Sequence, residues 1–122
     1  MSKHGIVHIE IPANDPKGAG DFYRELFGWE INTDDQFEYT MFRPQDGPGG
    51  GFNKVDGESV VPGGVLIYVD VDDIEGTLAQ IESLGGATLK TSTEIPGMGH
   101  FAVFRDPTGN TMALWHSLGE AG

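Results

Sequence analysis

The feature that most constrains this chain is an order of elements that it runs through twice. Residues 6–11 (IVHIEI) read as a short strand whose side chains alternate between two faces. Asn14-Asp15-Pro16 follows as a helix start, a capping side chain and then Pro at the first helical position. Ala19, Phe22, Tyr23, Leu26 and Phe27 recur at helical spacing, and Gly28 supplies the stop. Strands are predicted over Trp29–Asn32 and Phe37–Arg43, around the acidic turn Thr33-Asp34-Asp35-Gln36. A glycine-rich stretch, Gly47–Phe52, leads into a fourth short strand.

The second half restates this order. Val65–Val71 reads as a strand, Asp72-Asp73 as the cap of a helix carrying Ile74, Leu78, Ile81 and Leu84, and Gly85-Gly86 as its end. Ala87–Thr91 is a further strand, and residues 101–105 (FAVFR) and 111–116 (TMALWH) form a hairpin across Asp106-Pro107-Thr108-Gly109-Asn110. Short matches align the halves. Glu25–Gly28 answers Glu82–Gly85 at a shift of 57, Asp15 answers Asp73 at 58, and Phe42-Arg43 answers Phe104-Arg105 at 62. The reading is an α+β fold of two βαβββ repeats within one domain over residues 1–122. Repeat one spans 5–52, a polar linker 53–63, and repeat two 64–117.

Composition narrows the function classes. Seven Lys and Arg against nineteen Asp and Glu give a net charge of −12, which repels nucleic acid and anionic membrane surfaces. No apolar run approaches the length of a membrane span, and the first residues lack the apolar core of a secretory signal. The absence of Cys removes disulfides, thiolate metal sites and Cys nucleophiles together. A soluble, cytoplasmic, acidic domain is expected. The Gly47–Gly51 run lacks the Lys-Ser/Thr that completes a phosphate-binding loop, and no nucleophile-elbow or His-Glu-x-x-His motif occurs.

The chain resembles the vicinal oxygen chelate superfamily of glyoxalase I, bleomycin resistance proteins and extradiol dioxygenases. The likeness rests on Val7-His8-Ile9, Phe22-Tyr23 with Leu26–Trp29, Val69–Asp73, and the Asp106–Asn110 turn. It is closest to a glyoxalase-like branch whose members mostly lack assigned reactions. The resemblance implies a cupped mixed sheet with the helices outside, a small-molecule ligand in the cup, and a homodimer. It also implies a divalent ion held by one side chain from each of four strands, which would stabilise a developing enolate or oxyanion. Alignment places His8, Gly51, Leu66 and Ala113 at those four positions. Three of the four carry no side-chain lone pair, so no metal cofactor is predicted, and His8 is the one candidate ligand left.

His8 and Glu10 lie two apart on one strand and share a face, which suits a general acid–base pair. Tyr39, Tyr68 and Trp115, with Leu66 and Ala113, are expected to line an apolar ligand pocket. His100, after Pro96-Gly97-Met98-Gly99, is expected in a loop that folds over the ligand. The leading expectation is a glyoxalase-like protein that sequesters a small, partly apolar molecule or acts on it by metal-independent acid–base chemistry. A divalent-metal lyase, isomerase or dioxygenase with ligands from Glu10, His100 or a partner chain is the alternative, and a protein–protein module is a third reading.

Overall fold

The first helix is set by its two ends. Asp15 occupies the N-cap position in extended conformation and Pro16 fixes the first turn, while Gly28 closes the helix at φ 74°, in the left-handed region that glycine enters without steric cost. The expected capping side chain is present, but Asp15 makes no side-chain cap hydrogen bond; Pro16 has no N–H to satisfy and pre-sets the helical φ. The second helix uses the side chain: Asp73 accepts from the Gly76 N–H at 3.1 Å.

The structure, a computed structural model, describes residues 4–36 and 38–118. In chain order the elements are β1 (Ile6–Ala13), α1 (Pro16–Phe27), β2 (Glu30–Asp34), β3 (Tyr39–Arg43), β4 (Gly50–Lys54), β5 (Leu66–Asp70), α2 (Ile74–Ser83), β6 (Ala87–Ile95), β7 (Gly99–Arg105) and β8 (Thr111–Ser117). This is βαβββ twice. Two compact units result, His8–Leu66 and Ile67 onward together with the residues up to Val7. Within the first, strand order is β2-β3-β4-β1; within the second it is β5-β8-β7-β6. In each, the first strand joins in parallel and the rest are antiparallel.

The register reproduces the repeat arithmetic residue by residue. The parallel pairs Glu10↔Gly51, Ile11↔Phe52 and Pro12↔Asn53 become Tyr68↔Ala113, Val69↔Leu114 and Asp70↔Trp115 under shifts of 58 and 62. The antiparallel pairs Thr40↔Phe52 and Phe42↔Gly50 become Ala102↔Leu114 and Phe104↔Met112. Several boundaries differ from expectation. β4 runs on to Lys54, two residues into the expected linker, because Pro12 and Ala13 still offer it a parallel partner. Thr33 and Asp34 belong to β2, paired with Thr40 and Tyr39, so the turn is shorter than predicted. β6 runs to Ile95, past the expected Thr91, and β7 starts at Gly99. Phe37, expected in β3, lies outside the described residues.

Each helix covers one face of the strands of its own repeat. On the first, Tyr23 of α1 stacks on Trp29 and Phe52 at 5.1 and 5.8 Å between ring centroids, and Trp29 stacks on Phe42 at 4.8 Å. On the second the packing is aliphatic: Val71, Ile74, Leu78, Ala102 and Leu114 are buried together, with Ile81 and Phe104 against them. The apolar positions of α1 do not all point inward. Phe22 and Leu26 stand outward, 58% and 57% exposed. No helix among the described residues is long and apolar enough to cross a membrane.

Candidate functional site

With one face of each sheet under a helix, the alternate residues of every strand are left for the opposite face. On the first sheet these include His8 and Glu10 of β1 and Tyr39 of β3, since Thr40, Phe42 and Phe52 take the helix side. The three converge. His8 Nε2 and the Tyr39 hydroxyl both bond Glu10 Oε2, and His8 Nε2 lies 3.0 Å from the Tyr39 hydroxyl. Tyr39 donates its O–H to Glu10 Oε2, and in the tautomer that carries its proton on Nε2, His8 donates to the same oxygen.

Glu10 is the centre of the cluster and is only 6% exposed, while the His8 side chain is 33% exposed. A buried carboxylate is tolerated when donors satisfy it, and here two side chains do so. The arrangement brings together one carboxylate acceptor and two side chains able to donate to it, groups of the kind that acid–base chemistry uses.

The seat of Tyr39 is made by a missing side chain. A Cβ on Gly51 would lie under 3.0 Å from the hydroxyl oxygen, Cζ and Cε1 of Tyr39. Gly51 pairs with Glu10 on one side and Met41 on the other, so the phenol crosses bare backbone to reach Glu10.

The same positions of the second repeat carry neither imidazole nor carboxylate. His8, Glu10 and Tyr39 correspond under the repeat shifts to Leu66, Tyr68 and Phe101. Tyr68 and Phe101 meet at 6.5 Å between centroids, and Lys90 Nζ sits 6.0 Å over the Phe101 ring. Phe101 pairs with Trp115, and Tyr68 with the fully buried Ala113. The expected apolar set Leu66, Tyr68, Ala113 and Trp115 thus lies in the second repeat. Tyr39 belongs to the polar cluster of the first, because its hydroxyl is spent on Glu10.

His100 is not in a loop. It sits inside β7, paired with Glu94 and His116, on the same parity as Ala102 and Phe104 and therefore on the α2 side, away from Phe101. The turn before it is confined to Pro96–Met98, with the Met98 N–H donating to the Ile95 carbonyl at 3.0 Å. His116 is tied down by an Nδ1 contact of 2.9 Å with the Val71 carbonyl. Two residues were passed over in the sequence. Gly51 was read only as a failed ligand position, and Phe101 was not singled out although the 62-residue shift maps Tyr39 onto it.

The four positions at which the resemblance implies a divalent ion can be tested on this structure. Leu66 and Ala113 carry no donor, and the space of a side chain at 51 is taken by the Tyr39 phenol. Among the described residues no three His, Cys, Asp or Glu side chains converge to hold a metal ion. The donor set does not fit that centre.

Titration is marked elsewhere, in a turn. Asp106 accepts from the Asn110 and Thr108 N–H groups at 2.9 and 3.0 Å and from the Thr108 hydroxyl and Asn110 amide. These bonds, the Asn110 N–H foremost, hold its pKa down from 3.8 to about 2.

Comparison with known proteins agrees with the fold. The family profile described as "Glyoxalase-like domain" matches residues 7–115, and the chain belongs to that family, with the fold of the glyoxalase/bleomycin resistance protein/dioxygenase superfamily. It is 32% identical to a glyoxylase-like domain-containing protein of Didymella fabae, covering 93% of this chain and 95% of that one. It is 27% identical to the anthracycline biosynthesis protein DnrV of Streptomyces peucetius over 88% of this chain, and spans 45% of that relative, about half its length. The solved methylmalonyl-CoA epimerase of Mycobacterium tuberculosis superposes with a TM-score of 0.69 at 16% identity, covering 93% of this chain and 87% of that one, a likeness of fold.

Proposed function

We propose that this protein binds a small, partly apolar carbonyl compound against the His8–Glu10–Tyr39 face of its first repeat and moves a proton on it without a metal. The convergence of two donors on one buried carboxylate carries this reading. Glu10 takes a proton from the carbon beside the carbonyl, and the C–H electron pair becomes the new carbon–carbon π bond. The carbonyl π pair moves to oxygen. As Glu10 is neutralised its hold on the Tyr39 and His8 donors weakens, and both become available to the enolate oxygen. Return of the proton from Glu10 completes an isomerisation or exchange.

The substrate class finds support in relatives: one solved neighbour is named as an epimerase of methylmalonyl-CoA, a thioester, and one curated relative as an anthracycline biosynthesis protein. The acidic, cysteine-free composition supports a cytoplasmic setting, and the exposed Phe22–Leu26 stripe supports a homodimer.

The test is hydrogen exchange in D2O, followed by NMR, of the protons beside the carbonyls of phenylacetone, 2-oxobutyrate and a propionyl thioester, with EDTA present. Exchange above the buffer rate is expected, falling by about 10²–10⁴-fold in Glu10→Gln. Exchange that EDTA abolishes and manganese restores would overturn the metal-free mechanism. Saturable binding of a probe with no exchange would leave a sequestering protein.

A further inference from the structure

We propose that the bare backbone at Gly51 is a built seat for a phenol ring, filled in this chain by its own Tyr39, and that Gly51 is the positioning residue of the acid–base cluster. This deepens the reading of His8, Glu10 and Tyr39 as the site and rests on it. Two neighbouring glycines of β4 differ in what a side chain there would meet. A Cβ on Gly50 would strike the Ile9 backbone, its carbonyl carbon and nitrogen at 2.7 and 2.8 Å, so Gly50 serves the parallel β1–β4 ladder. The three atoms nearest a Cβ on Gly51 all belong to the far end of a side chain, the Tyr39 hydroxyl and ring. A phenol can swing away and a backbone cannot. Substitution at 51 therefore leaves the ladder intact and evicts the ring.

The seat has a defined chemistry. Its floor is peptide backbone, one end holds the Glu10 carboxylate as acceptor, and His8 Nε2 lies 3.0 Å from the phenolic oxygen. A flat ring with one hydroxyl satisfies both, and Phe101, the counterpart of Tyr39, has no hydroxyl to offer. The chemical class that fits this seat is a phenol, or an enol of the same size and donor pattern.

Chemical rescue tests the seat without any turnover. Tyr39→Ala empties it, and p-cresol is the probe, read by protein NMR at the His8 imidazole nitrogens. With Gly51 intact, p-cresol is expected to bind saturably and return the His8 Nε2 signal to its wild-type position; in Tyr39→Ala with Gly51→Ala, binding should weaken at least about tenfold, because the added methyl fills the cavity. Gly51→Ala alone should keep the fold by circular dichroism and shift the His8 signal as Tyr39→Phe does. Equal p-cresol binding with Ala or Gly at 51, or an unmoved His8 signal in Gly51→Ala, would overturn the proposal. Failure of carbonyl exchange would overturn only the proposed reaction, since these signals report the seat itself.

Discussion

The two repeats share a register and differ in what they place on it. At three matched positions the first holds His8, Glu10 and Tyr39, and the second holds Leu66, Tyr68 and Phe101. The helix side differs as well: Phe52 of the first corresponds to Leu114 of the second, an aromatic stack against an aliphatic cluster. The pairing of strands depends on backbone hydrogen bonds, so both side-chain sets can change while the ladder stays the same. One repeat therefore carries the polar chemistry and the other an apolar surface, on one backbone plan.

The sharpest way to break the comparison is in the buried layers. Phe52→Ala should cost about 3–5 kcal/mol and Leu114→Ala about 2–5, both residues being 2% exposed. Urea unfolding checks both, and a cost below 1 kcal/mol at either would mean the matched layers are not equivalent supports. Gly50→Ala comes next, at about 1–3 kcal/mol of overpacking against the Ile9 backbone, where repeat two carries Met112 at the matched position. A fully stable Gly50→Ala protein would contradict the close β1–β4 approach.

The hydroxyl is a smaller quantity. Tyr39→Phe removes a hydrogen bond to a buried carboxylate and should cost about 1.5–3 kcal/mol. Phe101→Tyr, its mirror, should gain nothing comparable, since no acidic group stands where Tyr68 corresponds to Glu10. Equal effects from the two substitutions would erase the distinction between repeats.

The smallest effect belongs to the turns. Asp106 closes the β7–β8 turn, and its repeat-one counterpart is Pro44, which cannot titrate. Because its folded pKa of about 2 lies below 3.8, its contribution is complete above pH 3.8 and is lost as pH falls through about 2. Melting temperature measured between pH 5 and pH 1.5 should fall less steeply in Asp106→Ala than in the wild type. Parallel curves would remove Asp106 from the acid response.

Much of the fold was legible because strand pairing obeys integer arithmetic. The shifts of 58 and 62 read from short matches reappear as paired residues. His8 and Glu10 were legible as a pair because they lie on one strand, two residues apart. The contact of Tyr39 with Glu10 was not, since it bridges 29 residues and depends on a side chain that position 51 lacks. His100 misled for a related reason. Pro96-Gly97-Met98-Gly99 looks like one loop, yet Gly99 is already paired with Ile95 and Ser117, and a Cβ there would sit 2.9 Å from the Trp115 ring. Glycines that mark a turn and glycines that admit a neighbour have the same sequence signal.

The parallel strand β1 has a consequence in time. In the first unit the antiparallel pairs join residues a few to a dozen apart, as Phe42 with Gly50, whereas Ile9 meets Gly50 across 41 residues. Short closures lose less chain entropy, so the β2-β3-β4 meander can assemble first and β1 docks onto it afterwards. His8 and Glu10 travel with β1, while Tyr39 waits on the meander. On this order of events, the His8–Glu10–Tyr39 cluster is the last thing the first repeat acquires on folding, and the first it loses when β1 peels away.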